Sequence, residues 1–215
     1  MSQEETKNKI QDKVNSFEIF DFKGKADWKV LVKKLINNIK LASRDIKEEK
    51  SEYYTLCIIQ AAAQLTDKKK FFAFYKRAPQ EYLWDLLIAE VHNEEYGGYK
   101  KPVLVLETEW GKRASKELNI ELIYNDFVKL LEAKSKWKVM NFTIWHHGNN
   151  HLKEIKNMII KTIRGYQQIR PEEEYIFLCW DDGERRLIYF QAKKVQGKTV
   201  FSKEKSISYN DVILA

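Results

Sequence analysis

Two acidic residues end an apolar segment in a pattern that suits the binding of a metal ion. The segment K-P-V-L-V-L-E-T-E-W-G-K runs from Lys101 to Lys112 and carries Glu107 and Glu109. Its unbroken apolar run is typical of a strand that is buried on both faces. Because side chains alternate along a strand, Glu107 and Glu109 share one face. Two carboxylates at the end of a buried strand need a cation or hydrogen bonds to compensate them.

A third acid, Asp85, lies within an earlier apolar segment, Y-L-W-D-L-L-I-A. The segment His92–Lys100 contains paired glycines and predicts a hairpin loop between a strand over Tyr82–Val91 and the strand that holds Glu107. We therefore expect Asp85 to lie beside Glu107, with their Cβ atoms about 4.5–5.5 Å apart if they are direct cross-strand neighbours. Mg²⁺ prefers carboxylate oxygens together with waters and phosphate oxygens, so Mg²⁺ or Mn²⁺ is the expected cofactor. The alternative is that these acids form salt bridges at the edge of the sheet.

The composition predicts a single globular domain over residues 1–215, in which residues 1–16 form a flexible or helical tail. The hydrophobic content is 44% and the aromatic content is 13%, which fits a folded protein rather than a disordered one. The net charge of +7 permits a nucleic acid or another anionic partner. The basic residues are scattered, so a merely soluble surface is the alternative. We find no signal peptide and no apolar run that could span a membrane, and we expect a cytoplasmic protein.

Hydrophobic periodicity predicts helices and strands along most of the chain. Asp27 can cap a first helix, and a second helix over Glu48–Gln64 is apolar nearly all round, which predicts that it is largely buried. Asn125 can cap a helix over Asp126–Lys134, and Asn149 or Asn150 can open a helix that ends near Gly165. The other predicted strands are Phe71–Tyr75, Trp137–Trp145, Tyr175–Trp180 and Leu187–Ala192. The C-terminal tail S-K-E-K-S-I-S-Y-N-D-V-I-L-A is left without an assignment.

This order of elements resembles the α-β-β-β-α-β core of the restriction-endonuclease-like, or PD-(D/E)xK, superfamily. The resemblance covers roughly residues 48–190 and is carried by Asp85 in Y-L-W-D-L-L-I and by Glu107 in V-L-V-L-E-T-E-W. It implies an α/β fold with a central mixed β-sheet flanked by helices. It also implies that Asp85 and Glu107 bind Mg²⁺, and that a lysine two positions after the second acid helps to activate a water molecule.

The chain departs from the pattern at this lysine, because Glu109 occupies the position and gives E-x-E. A minority of restriction enzymes carry glutamate here, so the change does not exclude activity. In other relatives the lysine has moved to the following helix, where the corresponding residue is Lys129. At 100° per residue Lys129 lies nearly opposite the apolar side of the predicted helix, which argues against it. Lys112 is closer in sequence but lies past the end of the strand. Glu109 itself could complete the metal shell or act as the base.

Other polar residues are weaker candidates. Glu52 falls on the apolar stripe of its helix and is a further catalytic candidate; the alternative is an exposed first-turn glutamate that the helix dipole favours. The segment W-H-H-G-N-N-H, with His146, His147 and His151, has too few ligands for zinc and predicts a polar loop. The two cysteines, Cys57 and Cys179, lie in apolar surroundings and are expected to be buried free thiols.

The leading functional hypothesis is a divalent-metal-dependent nuclease that cleaves DNA phosphodiester bonds by means of a metal-activated water. The alternative is a catalytically inactive nuclease-like protein that binds nucleic acid or a protein partner. The absence of lysine at position 109 is the main support for this alternative. We expect DNA rather than a membrane as the partner, and a homodimer is left open.

Overall fold

The computed structural model of the chain describes residues 17–24, 27–43, 51–75, 84–91, 99–110, 115–145 and 149–212, apart from the side chains of residues 51, 52, 75, 99 and 149. Its helices are α1 (Trp28–Ala42), α2 (Ser51–Ala63), α3 (Lys116–Glu132), α4 (Asn149–Gly165) and α5 (Tyr209–Val212). Its strands are β1 (Phe71–Tyr75), β2 (Leu86–Val91), β3 (Tyr99–Glu109), β4 (Trp137–Ile144), β5 (Glu174–Asp181), β6 (Arg186–Val195), β7 (Lys198–Phe201) and β8 (Lys205–Ser208). None of the described helices is long and apolar enough to cross a membrane.

All the described strands form one mixed sheet. Seven of them lie in the order β1-β2-β3-β4-β5-β6-β7, and β8 pairs with β6. Strand β2 is antiparallel to both of its neighbours, β1 and β3, whereas β3, β4 and β5 are parallel to one another. Each parallel connection contains a helix, as parallel strands require. The expectation of an α/β fold with a central mixed sheet between helices is confirmed.

Helices cover both faces of this sheet because side chains alternate along each strand. On one face, α1 and α2 pack against residues such as Leu104 and Leu106 of β3. On the other face, α3 and α4 pack against Val105 of β3 and Met140 of β4. The two cores explain why β4 is buried along its whole length.

Several predicted elements are confirmed, and others are corrected. Asp27 caps α1, since its Oδ1 accepts a hydrogen bond of 3.2 Å from Lys29 N. Helix α2 forms as expected, and most of its apolar side chains are buried, namely Cys57, Ile58, Ile59, Ala61 and Ala62, whereas Tyr53 and Leu56 are exposed. This helix packs against α1, β1 and β2, and only the outer residues Tyr53 and Leu56 are exposed among its described large apolar side chains.

The prediction that helix α3 starts at Asp126 is wrong. The helix begins ten residues earlier, at Lys116, and Ser115 is its N-cap, with Oγ accepting a hydrogen bond of 3.3 Å from Leu118 N. Buried side chains continue along this first half, including Ile123, so the helix is held by packing against the sheet throughout.

The C-terminal part contains strands that were not predicted. Strand β6 turns into β7 at Gln196 and Gly197, which both have positive φ angles, of 48° and 77°. Two consecutive residues with positive φ are typical of the tight hairpin turns that match the twist of a sheet. Strand β8 then returns to pair with the start of β6, with Leu187 opposite Ile207.

Candidate functional site

Glu107 is a buried carboxylate near the end of β3. It shares the face of Val105, which is the face that α3 covers, and it is 2% exposed. In the pairing of β2 with β3, Leu86 lies opposite Leu106. Asp85 directly precedes β2, and Glu107 directly follows Leu106. The two acids are therefore brought to neighbouring positions at one edge of the sheet, as the sequence predicts.

Asp85 is anchored by the backbone of β3. Its Oδ2 accepts hydrogen bonds from both Thr108 N, at 2.8 Å, and Thr108 Oγ1, at 2.9 Å. Because β2 begins only at Leu86, the carboxylate of Asp85 takes the place that a strand carbonyl would have beside Thr108. These bonds fix the position of the side chain at the strand end.

Lys129 on helix α3 reaches this edge of the sheet. Its Nζ lies 3.8 Å from Glu107 Oε2 and 2.6 Å from Asp126 Oδ1. Burial lowers the pKa of Lys129, but the hydrogen bond with Asp126 and the charges of Glu107, Asp126 and Asp85 outweigh it, so that its pKa is raised overall. The ammonium is thus charged at neutral pH and compensates the buried carboxylate of Glu107.

The helical-wheel argument against Lys129 is therefore wrong. Helix α3 contacts both β3 and β4, so one of its flanks faces the strand end that holds Glu107. The side chain of Trp84, just before Asp85, holds this flank of α3 next to the strand end. Its Nε1 donates a hydrogen bond of 3.0 Å to the carbonyl of Lys129. A lysine side chain can also extend along a helix surface beyond the direction in which its Cβ points.

Two residues of this site were missed in the sequence. Asp126 was interpreted only as the first residue of a helix, although its spacing of three residues from Lys129 places both side chains on one helix surface. The alternation of side chains places Thr108 on the face of β3 opposite Glu107 and Glu109. Its backbone N–H and its hydroxyl both contact Asp85, and no spacing rule for side chains alone would have revealed this.

The other candidates lie at or outside the border of this site. Glu109 ends β3 on the same face as Glu107 and is partly exposed. Lys112 lies outside the described residues. The side chain of Glu52 is also outside them, and its helix α2 covers the opposite face of the sheet from Glu107.

The structure describes one of the three candidate histidines, His151, and both cysteines. His146 and His147 lie outside the described residues. His151 is not in a polar loop as expected but is buried in the first turn of α4. Cys57 and Cys179 are buried free thiols, as predicted.

The acids at the end of β3 fit a hard divalent cation by their chemistry. Carboxylate oxygens are the ligands that Mg²⁺ prefers, and it commonly takes only one or two of them from the protein. Within the described ranges no three histidine, cysteine or acidic side chains are grouped so that they could hold a metal ion together. Asp85 and Glu107 are two such ligands, and water or other oxygens would have to supply the rest.

Comparisons of this chain with protein-family models, with curated proteins and with solved structures find no match.

Proposed function

We propose that this protein is a restriction-endonuclease-like, divalent-metal-dependent nuclease that hydrolyses DNA phosphodiester bonds. The observation that carries the proposal is the ion pair between Lys129 Nζ and Glu107 Oε2, which lie 3.8 Å apart beside Asp85. The E-x-E sequence has Glu109 where the pattern has lysine, and helix α3 brings Lys129 to the same strand end. Two acids and one lysine are the groups that this chemistry requires.

The topology supports the same proposal. The elements α2, β1, β2, β3, α3 and β4 follow one another in the α-β-β-β-α-β order. The first three strands form an antiparallel meander, and β4 lies parallel to β3 after the crossover through α3. Asp85 therefore lies just before β2 and Glu107 lies near the end of β3, at the edge where the parallel strands end.

Each residue of the site has a distinct role in this proposal. Asp85 and Glu107 would hold the metal ion, which when bound polarises a phosphoryl oxygen and lowers the pKa of a bound water. Lys129 is protonated, so it would stabilise the negative charge that develops on the phosphate rather than accept a proton. Glu109, which is partly exposed at the end of β3, would accept the proton of the attacking water. Asp126 would orient Lys129 toward the phosphate.

A catalytically inactive nuclease-like protein is the second candidate. It is favoured by the same contact, because the ammonium of Lys129 already compensates the acids at the strand end. The fold would then serve to bind nucleic acid or a protein, and no ion would be needed to stabilise the carboxylates.

Incubating plasmid or short DNA duplexes with the protein and Mg²⁺ or Mn²⁺ tests the proposal. We expect cleavage that Glu107→Gln and Asp85→Ala abolish and that Lys129→Ala slows by about 10²-fold, as for loss of one charge-stabilising group. Glu90→Gln is the matched control, since Glu90 lies at the other end of β2 and contacts Lys23 and Lys70. Cleavage that survives Asp85→Ala or Glu107→Gln would refute the assigned site.

Titration calorimetry separates the two candidates when no cleavage is seen. Absence of Mg²⁺ binding together with salt-dependent DNA binding would favour the inactive binding protein. Absence of both metal and nucleic-acid binding would contradict the nuclease and would limit the second candidate to a protein partner.

A further inference from the structure

Strand β6 continues beyond its last pair with β5 as a two-stranded ribbon with β7. That last pair is Ala192 with Tyr175, whereas β6 and β7 stay paired for three further residue pairs. Residues 193–200 form this ribbon, and no other described strand flanks them. At about 3.3 Å per residue, the ribbon reaches roughly 10 Å beyond Ala192. It therefore projects from the sheet as a narrow arm.

The base of the ribbon is held by the body of the protein. Phe201 packs edge-on against Phe190, with ring centroids 5.7 Å apart, and Lys156 of α4 lies over both rings. Gln191 and Ser202 are joined by two hydrogen bonds of 2.9 Å, from Ser202 N to Gln191 O and from Gln191 N to Ser202 Oγ. The ribbon is thus pre-organised, which reduces the entropy that is lost when it binds a partner.

The ribbon carries positive charge and no acidic residue. Its sequence K-K-V-Q-G-K-T-V contains Lys193, Lys194 and Lys198. The pairing of Lys193 with Val200 and of Val195 with Lys198 places these four side chains on one face and Lys194 on the other. Lysines alone would suit the protection of an edge strand. Val195 and Val200, however, are 40% and 45% exposed between the lysines, which indicates a surface that contacts a polyanion through both charge and apolar area.

We propose that this ribbon enters the major groove of duplex DNA. The major groove of B-form DNA is about 12 Å wide and about 8.5 Å deep, and it admits a two-stranded β-ribbon. With side chains on both faces, a β-ribbon is about 10 Å thick, so it fits the width of the groove, and its projection of roughly 10 Å matches the depth.

The residues of the ribbon match the walls and the floor of such a groove. When the ribbon enters tip first, its two faces turn toward the two phosphate backbones. Lys193 and Lys198 then reach one backbone, and Lys194 reaches the other. Gln196 is exposed at the tip, where a glutamine side chain can pair with the N6 and N7 edge of adenine. Val195 lies beside it and can contact a thymine methyl group.

The ribbon is separate from the candidate metal site. Because β6 is antiparallel to β5, the ribbon lies at the end of the sheet where the parallel strands begin, whereas Glu107 lies at the end where they finish. The ribbon would therefore hold DNA outside the segment that is cleaved. The inference goes beyond the proposed function, since it requires neither a metal ion nor cleavage.

Fluorescence anisotropy with a labelled DNA duplex of about two helical turns, in EDTA so that no cleavage occurs, tests the ribbon. The triple variant Lys193→Ser, Lys194→Ser and Lys198→Ser should bind about 10²-fold more weakly at low salt. The slope of log affinity against log salt should become less steep by about 2.7, since each lost phosphate contact accounts for about 0.9. All three substitutions lie outside the two cores, so the thermal unfolding midpoint should not change.

A second triple variant is the matched control. Lys68→Ser, Lys69→Ser and Lys101→Ser remove the same charge from exposed positions on the β1–β3 side of the sheet, and this variant should bind DNA nearly as the wild type does. An RNA duplex of the same sequence is the control for the groove. Its major groove is too deep and narrow for side chains to read, so the wild type should bind it about tenfold more weakly than DNA.

Each outcome decides one point. A wild type that does not bind duplex DNA, or equal losses of affinity in the two triple variants, would overturn the ribbon as the DNA-binding surface. Equal affinity for DNA and RNA duplexes would overturn its entry into the major groove. A wild type that binds DNA through the ribbon but cleaves none with Mg²⁺ would contradict the proposed nuclease and support the ribbon. Cleavage by a wild type whose affinity the ribbon variant leaves unchanged would overturn the ribbon alone.

Discussion

The ammonium of Lys129 lies 3.8 Å from Oε2 of Glu107, so a helix supplies the positive charge that the end of strand β3 lacks. Glu107 is nearly inaccessible to water, whereas the side chain of Lys129 is 42% exposed. The pair thus connects a buried carboxylate to the surface of α3. The stability of this strand end and its response to a metal ion should both depend on Lys129.

Lys129→Ala should destabilise the protein, because it removes an ammonium that lies 3.8 Å from the buried carboxylate of Glu107. We expect a loss of about 1–2 kcal/mol, less than for a fully buried pair because solvent screens the exposed lysine. The raised pKa of Lys129 adds a pH dependence: its contribution is present at neutral pH and is lost as pH rises past the ordinary range of lysine. Chemical denaturation at several pH values measures both effects.

If Asp85 and Glu107 hold a divalent cation, Mg²⁺ should restore stability to Lys129→Ala more than it stabilises the wild type, since the ion replaces the missing positive charge. Lys134→Ala, an exposed lysine just after α3, is the matched control and should show neither effect. An equal response of all three proteins to Mg²⁺ would contradict a metal site at Glu107.

Two substitutions of Asp85 can separate its contribution to the stability of the fold from its contribution to metal binding. Asp85→Asn keeps a side-chain oxygen that can accept the hydrogen bonds from Thr108, so it should preserve most of the stability while it weakens Mg²⁺ binding. Asp85→Ala removes these hydrogen bonds as well and should cost about 1–2 kcal/mol more than the asparagine variant. Thermal unfolding with and without Mg²⁺ compares the two. Equal stabilities would show that the Thr108 contacts contribute little.

The sequence contained enough information to locate the edge at which the acids meet. The apolar run before Glu107 and the alternation of side chains predict a buried strand with its acids on one face, and the pairing of β2 with β3 agrees. The start of α3 was missed because Asn125 is a plausible N-cap, whereas Ser115 lies ten residues earlier in a segment rich in charges. Local capping signals do not reveal which of two candidate caps the tertiary packing selects.

The place of Lys129 in the site could not be predicted from the hydrophobic periodicity of its helix. A helical wheel gives the direction of a side chain from the helix axis, but the location of a helix over a sheet depends on tertiary contacts. Here the hydrogen bond from Trp84 to the carbonyl of Lys129 holds the flank of α3 near Asp85 and Glu107. The strands β7 and β8 were missed because each is only four residues long and contains no buried residue, so neither has a clear hydrophobic pattern.

A second lysine, Lys138 on β4, is completely buried and should be important for stability. Its Nζ lies 2.7 Å from Glu173 Oε2 and donates hydrogen bonds to the carbonyl of Leu131 and to the hydroxyl of Tyr175. Burial lowers its pKa, and the hydrogen bond and charge of Glu173 oppose this shift. The pair connects the end of α3 to the start of β5.

Removing one partner of this pair should be much more harmful than removing both. Lys138→Met leaves a buried carboxylate and should cost about 3–5 kcal/mol, whereas the double variant Lys138→Met with Glu173→Leu should recover most of that loss. Denaturant titrations of the single and double variants give the coupling free energy. Additive losses would contradict a direct interaction between the two side chains.

The cysteines provide a test of the core that is independent of the candidate site. Burial raises the pKa of the Cys57 thiol to about 12, and its Sγ donates a hydrogen bond to the carbonyl of Ile39. Burial also raises the pKa of Cys179. Because the thiolate is the reactive form, both thiols should react very slowly with a thiol reagent at pH 8 in the native protein. Both should react at once in denaturant.

The raised pKa of Cys57 also predicts how the free energy of unfolding changes at alkaline pH. Between about pH 8.5, the ordinary pKa of a cysteine, and pH 12, an unfolded chain releases a proton that folded Cys57 retains. Rising pH therefore favours unfolding, and Cys57 alone should reduce the free energy of unfolding by about 1.4 kcal/mol for each pH unit in this window. In Cys57→Ala the decline measured by denaturant titration should be shallower by this amount. A native protein that reacts rapidly at pH 8, or an unchanged slope in Cys57→Ala, would contradict the burial of this thiol between α1 and α2.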